Sequence, residues 1–371
     1  MQLTDRYDGI LRQSEQDSQL TEALLPIRYE PDSHSANMLE LDNGDLLCVW
    51  FSGSGEGNPD TNVLLSRLPA GSNRWEEPIE VASDLERSEQ NPVVFQAPDG
   101  GIWLLHTSTE PHNQRTSRII FRISEDRGRT WGERCVLHEG PGLFLRSPIL
   151  AMSNGEWLLP CYYCKDGGHY SVVLISSDQG ATWKEYEVEG AQHRVQMSVV
   201  ERHPGTLFAV FRSRQADRIY SSTSTDFGRT WSQPIKTALP NNNSSVQMTQ
   251  LTNGDLVLIY NDSTMERDQH RWVQRKGEWR KKPLRTPLTI AVSEDGGATW
   301  PYIRNIQISD AEYREFQIGY SYPCIIQTKD GIIHTAYSFL RKAIKYVQFT
   351  EDWIKGRKDA SLVVLEEEDL L

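Results

Sequence analysis

Ser224–Trp231 reads STDFGRTW, and three more segments share its form: Ser124–Trp131 (SEDRGRTW), Ser176–Trp183 (SSDQGATW) and Ser293–Trp300 (SEDGGATW). The common pattern is S-x-D-x-G-x-T-W, with tryptophans 52, 48 and 69 residues apart. Turn chemistry accounts for each position. The Asp carboxylate accepts hydrogen bonds from the N–H groups of a tight turn, Gly permits positive φ, and Ser and Thr add local bonds. The Trp ring brings a large apolar surface to bury between neighbouring sheets. The box is therefore scaffold, expected away from any substrate. Two degenerate copies, SNRW ending at Trp75 and TEDW ending at Trp353, bring the number of units to six. A recurring period of this size marks a repeat architecture.

A second periodicity agrees. Turn glycines at Gly44, Gly100, Gly155, Gly205, Gly254 and Gly331 lie 49 to 77 residues apart, each between two apolar, β-branched runs such as NMLEL and DLLCVWF. That reads as a hairpin. A third run leads into each box, as in SVVLIS, and a fourth often follows, as in KEYEVE. Four strands per unit and six units give an all-β chain, a six-bladed β-propeller with four-stranded blades and Asp-box turns. One blade cannot cover both its faces, so the blades pack on each other in a single domain over 1–371. They fall at approximately 31–85, 86–140, 141–190, 191–240, 241–310 and 311–371, with residues 1–30 or the C-terminal SLVVLEEE available to close the ring. The long departure from period, MERDQHRWVQRKGEWRKKPLR, reads as a charged loop or small hairpin over one face.

Composition narrows the function. The 371 residues carry 39 Lys+Arg against 51 Asp+Glu, a formal net charge of -12. That balance argues against nucleic acid, whose binding needs cations to neutralise phosphates. No apolar run approaches the roughly 18 residues of a membrane span. The opening MQLTDRYDGILRQSEQ lacks a basic-then-apolar leader, so the chain as given reads as cytoplasmic, or secreted if it is a processed form. Five cysteines make no disulfide framework, and the lone CxxC at Cys161 and Cys164 lies in an apolar run with no second pair. Neither metal nor cofactor is expected.

In a propeller the first strand of each blade lines the axis, so the residues at the strand starts converge on one funnel. Here they are His34 to Asn37, Gln90-Asn91, Arg146-Ser147, Arg194 to Gln196, Asn242 to Ser244 and Tyr320 to Tyr322. Their polarity suits a carbohydrate. Arg146, Asn91, Asn242 and Asn243 join the candidate binding residues on this ground.

Four Asp boxes on six four-stranded units resemble the sialidase superfamily, specifically its BNR/Asp-box-repeat branch, over nearly the whole chain. The resemblance implies three arginines on a substrate carboxylate, a Tyr nucleophile paired with a Glu, and an Asp acid/base. Tyr322, eight residues before the D-G turn in YPCIIQTKDG, matches the nucleophile. Arg285 in RTPLTIAVSEDGG and Arg212 in GTLFAVFR match two of the arginines. The first-blade arginine is replaced by His34, and the Glu partner of the Tyr by Gln196. The acid/base is expected in the first-blade loop GSGEGNPD, as Asp60 or Glu56.

The departures have physical consequences. A phenol needs a base or a strong positive field to attack near neutral pH, and an amide cannot take its proton. His34 is a base that can. Three functions follow. The leading one is a sialidase-like exo-glycosidase hydrolysing a terminal α-linked acidic sugar, sialic-acid-like or uronic. An alternative is a lyase acting on a uronate, with His34 as base and Tyr322 as acid. The third is a non-catalytic glycan-binding propeller. The partner expected in each case is a carbohydrate bearing a carboxylate; the sequence leaves the oligomeric state open.

Overall fold

The computed structural model describes residues 7–29, 31–267, 269–275, 277–309 and 319–356. It is the expected ring of six antiparallel sheets. Blade 1 runs Asp32–Glu40, Leu46–Gly53, Asn62–Leu68 and Ile79–Ala82, and blade 2 runs Ser88–Gln96, Ile102–Glu110, Asn113–Ser124 and Cys135–His138. Blade 3 has a divided first strand, Leu143–Leu145 and Leu150–Ala151, before Trp157–Lys165, Gly168–Ser176 and Lys184–Glu187. Blade 4 comprises Arg194–His203, Thr206–Ser213, Arg218–Ser224 and Ile235–Pro240. Blade 5 comprises Gln247–Gln250, Leu256–Asn261, Leu288–Ser293 and Tyr302–Gln307, and the charged insertion forms its own hairpin, His270–Arg275 with Glu278–Pro283. In blade 6, Tyr320–Gln327, Ile333–Phe339 and Ala343–Phe349 are completed by Thr21–Leu24 from the other end of the chain. Ser361–Glu368 (SLVVLEEE) lies outside the described residues.

The core is distributed between blades rather than gathered at one centre. Six buried apolar clusters correspond to the six blade interfaces. The interface of blades 6 and 1 joins Cys324, Ala336 and Tyr346 to Met38, Cys48 and Trp50, with Ala23 and Leu25 of the N-terminal segment added. Near the axis, side chains bridge first strands that share no ladder. The Val94 N–H donates to Asn37 Oδ1 (3.1 Å), and the Ile325 N–H to Gln247 Oε1 (2.9 Å).

The boxes behave as turn chemistry requires. Asp226 Oδ1 accepts from Ser224 Oγ (2.8 Å) and the Thr230 N–H (2.9 Å), while Oδ2 accepts from Thr230 Oγ1 (2.7 Å). Gly228 has φ 82°, and a Cβ there would also meet Leu158 Cδ1 of blade 3 at 2.5 Å. The TEDW copy departs from the pattern: Thr350 caps a short helix, Glu351–Lys355, that buries Trp353. With no glycine to allow the left-handed turn, the local N-cap takes over.

Antiparallel alternation then assigns the two ends of the ring. Boxes join third to fourth strands and the D-G-type turns join first to second, so both lie at one end. The starts of the first strands and the turns between second and third strands lie at the other.

Candidate active site

At that other end four of the six first strands are kinked alike. Pairing register shifts between His34 and Asn37, Gln90 and Val93, Val195 and Ser198, and Ser321 and Cys324. Each bulge holds a left-handed residue: Ser35, Asn91, Gln196 and Tyr322 at φ 64°, 50°, 53° and 51°, with Asn243 at 60° just before the first strand of blade 5. A non-glycine residue held so costs about 1–3 kcal/mol. The kink turns a side chain that would otherwise pack between sheets toward the axis. The kinked residues meet there in groups. Ser35 donates to Asn91 (3.1 Å), Gln196 to Tyr322 (3.3 Å), and Arg212 Nε to Asn243 (2.9 Å).

Tyr322 stands at the centre. Its Oη receives Arg212 Nη1 at 2.6 Å and Gln196 Nε2 at 3.3 Å, and Gln196 Oε1 in turn accepts from Arg212 at 2.9 Å. Two donors converging on one phenol oxygen favour the phenolate. Three guanidinium carbons, of Arg146, Arg212 and Arg285, lie 5.5, 5.7 and 5.7 Å from its ring centroid. Burial alone would push the phenol up, but the Arg212 and Arg285 charges and the Gln196 bond outweigh it, leaving Tyr322 below its ordinary value. Burial and the Arg212 and Arg341 charges push Arg285 down to about 10, against the opposing pull of the Tyr322 phenol. The His34 ring packs 4.2 Å from the Tyr322 ring, centroid to centroid, with Nδ1 on Ser338 Oγ (2.7 Å). Burial first, then the surrounding arginines, hold His34 well below 6.5, so it is neutral at pH 7.

Beside this cluster opens a cavity of about 1340 Å³. Arg285 and Ser321 line it, joined by a bond of 3.1 Å, together with Glu56, Gln90 and Arg341; His112, Lys165, His169 and Arg271 stand further round the wall. All come from first-strand starts or from turns between second and third strands, except Arg271 and Arg285, which belong to the blade 5 insertion occupying the same turn.

Other sequence candidates have different duties. Arg146, like Tyr322, Arg212, Gln196 and His34, lies behind the cavity wall rather than in it. It is 2% exposed, and its Nη2 donates to carbonyls, 2.9 Å from those of Tyr322 and Pro323 and 3.1 Å from that of Ala36. It buttresses the kinks of blades 1 and 6, because the divided first strand of blade 3 turns it across the axis. Asn91, Asn242 and Asn243 likewise hold neighbours: Asn91 holds Ser35, Asn243 holds Arg212, and Asn242 donates to the Leu284 carbonyl beside Arg285. Within the first-blade loop, Asp60 binds Ser54 through Oγ (2.8 Å) and N–H (3.3 Å), whereas Glu56 faces the cavity and its charge reaches both Tyr322 and Arg285.

Residues 44–335 match the family model described as the BNR repeat-like domain. The chain belongs to that family. A sialidase of Bacteroides fragilis (strain YCH46) is 22% identical over 324 residues, 74% of this chain but 56% of that protein, so the chain spans little more than half the relative's length. Among solved structures, the Hadza microbial sialidase Hz136 superposes with a TM-score of 0.72 at 18% identity, over 87% of this chain and 66% of that one. A leech intramolecular trans-sialidase gives 0.67 at 14% identity, over 87% and 69%. The six-bladed ring of this BNR-repeat chain is thus the fold of the sialidase superfamily.

Two residues escaped the sequence reading. Arg341 lines the cavity from the turn between the second and third strands of blade 6, and Asp32 stands two residues before His34. Arg341 is bound to Asp32 and, through Nη1, to Glu56 (3.1 Å). A search confined to first-strand starts and one loop passes over SFLRKA; applying the alternation rule to all six blades brings it into view.

Proposed function

We propose that the chain is a sialidase-like exo-glycosidase that hydrolyses a terminal α-linked acidic sugar, sialic-acid-like or uronic, from a glycan. The observation that carries this is the convergence of Arg212 and Gln196 donors on the Tyr322 oxygen, next to a cavity with guanidinium groups in its wall. An acidic sugar suits the site because arginine makes charge-assisted, bidentate contacts with carboxylates. A Tyr nucleophile departs from the usual pair of carboxylates. The substrate's own negative charge explains its use: a phenol oxygen compensated by arginine approaches an anionic substrate with less repulsion than a free carboxylate.

In this reading Arg285 and Arg212 hold the sugar carboxylate, and the Tyr322 phenolate attacks the anomeric carbon. Glu56 passes its proton to the leaving oxygen as the glycosidic C–O bond breaks. Water then displaces the phenolate and returns a proton to Glu56, giving free sugar and free alcohol. Gln196 fixes the phenol but takes no proton. His34, neutral at pH 7, packs the ring in place. Glu56 is preferred to Asp60 as acid because it faces the cavity, while Asp60 is tied back to Ser54.

The test is sugar release from a panel of sialyl and uronate glycans. Wild type turns over at least one member, and Tyr322→Phe lowers that rate by about a hundredfold or more while holding an acidic monosaccharide within a few-fold of wild type. A product carrying a new C=C bond next to the carboxylate replaces hydrolysis by β-elimination with His34 as base. No release from any member leaves a glycan-binding propeller.

A further inference from the structure

The Arg341 guanidinium has two carboxylates on it, and they are held unequally. Asp32 is mostly buried, its side chain 12% exposed, and it also accepts the Glu56 N–H at 3.3 Å. Glu56 is 42% exposed and touches Arg341 through the single Nη1–Oε2 contact. An exposed single contact of that kind contributes about 0–1 kcal/mol. It is the replaceable partner. Arg341 also looks into the same cavity as Arg285, and its charge acts on both Arg285 and His34.

We propose that Arg341 is shared between Glu56 and the substrate: a sugar carboxylate entering beside Arg285 displaces Glu56 from Arg341, and the released Glu56 takes a proton from solvent and becomes the acid for the glycosidic oxygen. This deepens the glycosidase reading and rests on it. The charges around Glu56 make the proton necessary. From blade 6 it faces Arg341 and Tyr322, from the blade 5 insertion Arg285, from its own strand start Asp32, and blade 2 packs His112 against Gly57. Before the exchange, Asp32 and Glu56 share the Arg341 charge. Afterwards the sugar carboxylate joins Asp32, Glu56 and the Tyr322 phenolate around Arg341, Arg285 and Arg212, and four like charges on three guanidinium groups cannot all stay ionised. Burial raises the Asp32 carboxyl above its ordinary value against the pull of Arg341, so Asp32 competes for the proton. Glu56 takes it because Glu56 is the carboxylate that lines the cavity and loses its guanidinium partner. The device makes acid catalysis conditional on an anionic sugar: a neutral sugar leaves Glu56 ionised on Arg341 and without a proton to give.

The measurement is titration calorimetry of the whole chain with N-acetylneuraminic acid and with glucuronic acid at pH 6.5, in buffers of different ionisation enthalpy. Both probes are fully ionised there, so any proton uptake belongs to the protein. Wild type is expected to bind one of them with uptake of about half a proton or more per site, and Glu56→Gln to bind it equally or more tightly with uptake near zero. Binding without uptake in wild type overturns the hand-off and leaves the glycosidase reading standing. Undiminished uptake in Glu56→Gln overturns it too, placing the proton on another group of the site such as Asp32, Tyr322 or His34. If wild type binds neither acid, the glycosidase reading fails and the hand-off fails with it.

Discussion

The two ends of the ring are built from the same strands on opposite principles. At the box end the same residues recur. Ser, Asp and Thr of each box close the turn on themselves, as in Ser176–Asp178–Thr182 and Ser293–Asp295–Thr299. At the axial end the left-handed backbone recurs while the side chains diverge: Ser35, Asn91, Gln196, Asn243 and Tyr322 occupy like places, with asparagine alone used twice. Where a residue's work is to fold one blade, each blade needs the same residue. Where its work is to meet residues from other blades around an axis, each blade supplies a different part. Repetition within one chain therefore separates scaffold from chemistry without any second sequence.

The separation is broken or sharpened most strongly at Arg212. It donates to the Tyr322 oxygen, Gln196 and Asn243 at once. Lysine keeps a charge but not the planar fork that makes these contacts together. Arg212→Lys is expected to lower kcat/KM by about a hundredfold to a thousandfold, with the thermal midpoint within a few degrees of wild type. A large fall in the midpoint with little change in kcat/KM makes Arg212 scaffold and dissolves the contrast.

Histidine burial gives a smaller effect that draws the same line. Both His34 at the axis and His334, on Thr328 and Tyr346 in blade 6, are pushed below their ordinary value chiefly by burial, His334 to about 4. A histidine held neutral in the fold takes up a proton when the chain unfolds. Each therefore contributes stability that is fully present above about pH 6.5 and falls with pH by about 1.4 kcal/mol per unit, for His334 until about pH 4. Urea denaturation at pH 6.5, 5.75 and 5 reads the slope. His334→Gln and His34→Gln are each expected to flatten it by about one proton's worth, but only His34→Gln to alter turnover at pH 7. An unchanged slope in His34→Gln means that the axial histidine is already solvated or charged.

Much of this was legible in the residues. The boxes and turn glycines give the propeller because their chemistry is local: eight consecutive residues contain every partner of Asp226. Tyr322, Gln196 and His34 are found at first-strand starts because a period of one blade brings them to the axis, whereas Arg212, near the end of the second strand of blade 4, is found through the family resemblance of GTLFAVFR. For Arg146 the period points to the axis but not to its contacts, since nothing in RSPIL shows that the strand divides and turns the guanidinium toward three carbonyls. The alternation rule reaches Arg341 but not its contacts. Its partners are Asp32 and Glu56, 309 and 285 residues away, and only ring closure joins them.

The smallest expected effect tests the box end alone. Asp226→Ala removes the acceptor of Ser224 Oγ, two backbone N–H groups and Thr230 Oγ1 in blade 4, whose Trp231 is packed in the interface with blade 3. The turn is partly exposed, so water replaces some of these bonds, and the loss in unfolding free energy is expected at about 1–2 kcal/mol. Arg212 sits in the same blade, at the far end of the adjacent strand. If the ends are independent, kcat/KM below the melting transition stays at the wild-type value, because the strands between them are held by ladder bonds the substitution does not touch. A tenfold or greater fall in kcat/KM at a temperature where Asp226→Ala is fully folded has a different meaning. The box would then be tensioning the strand that carries Arg212, and the repeated residues would belong to the chemistry as well as to the fold.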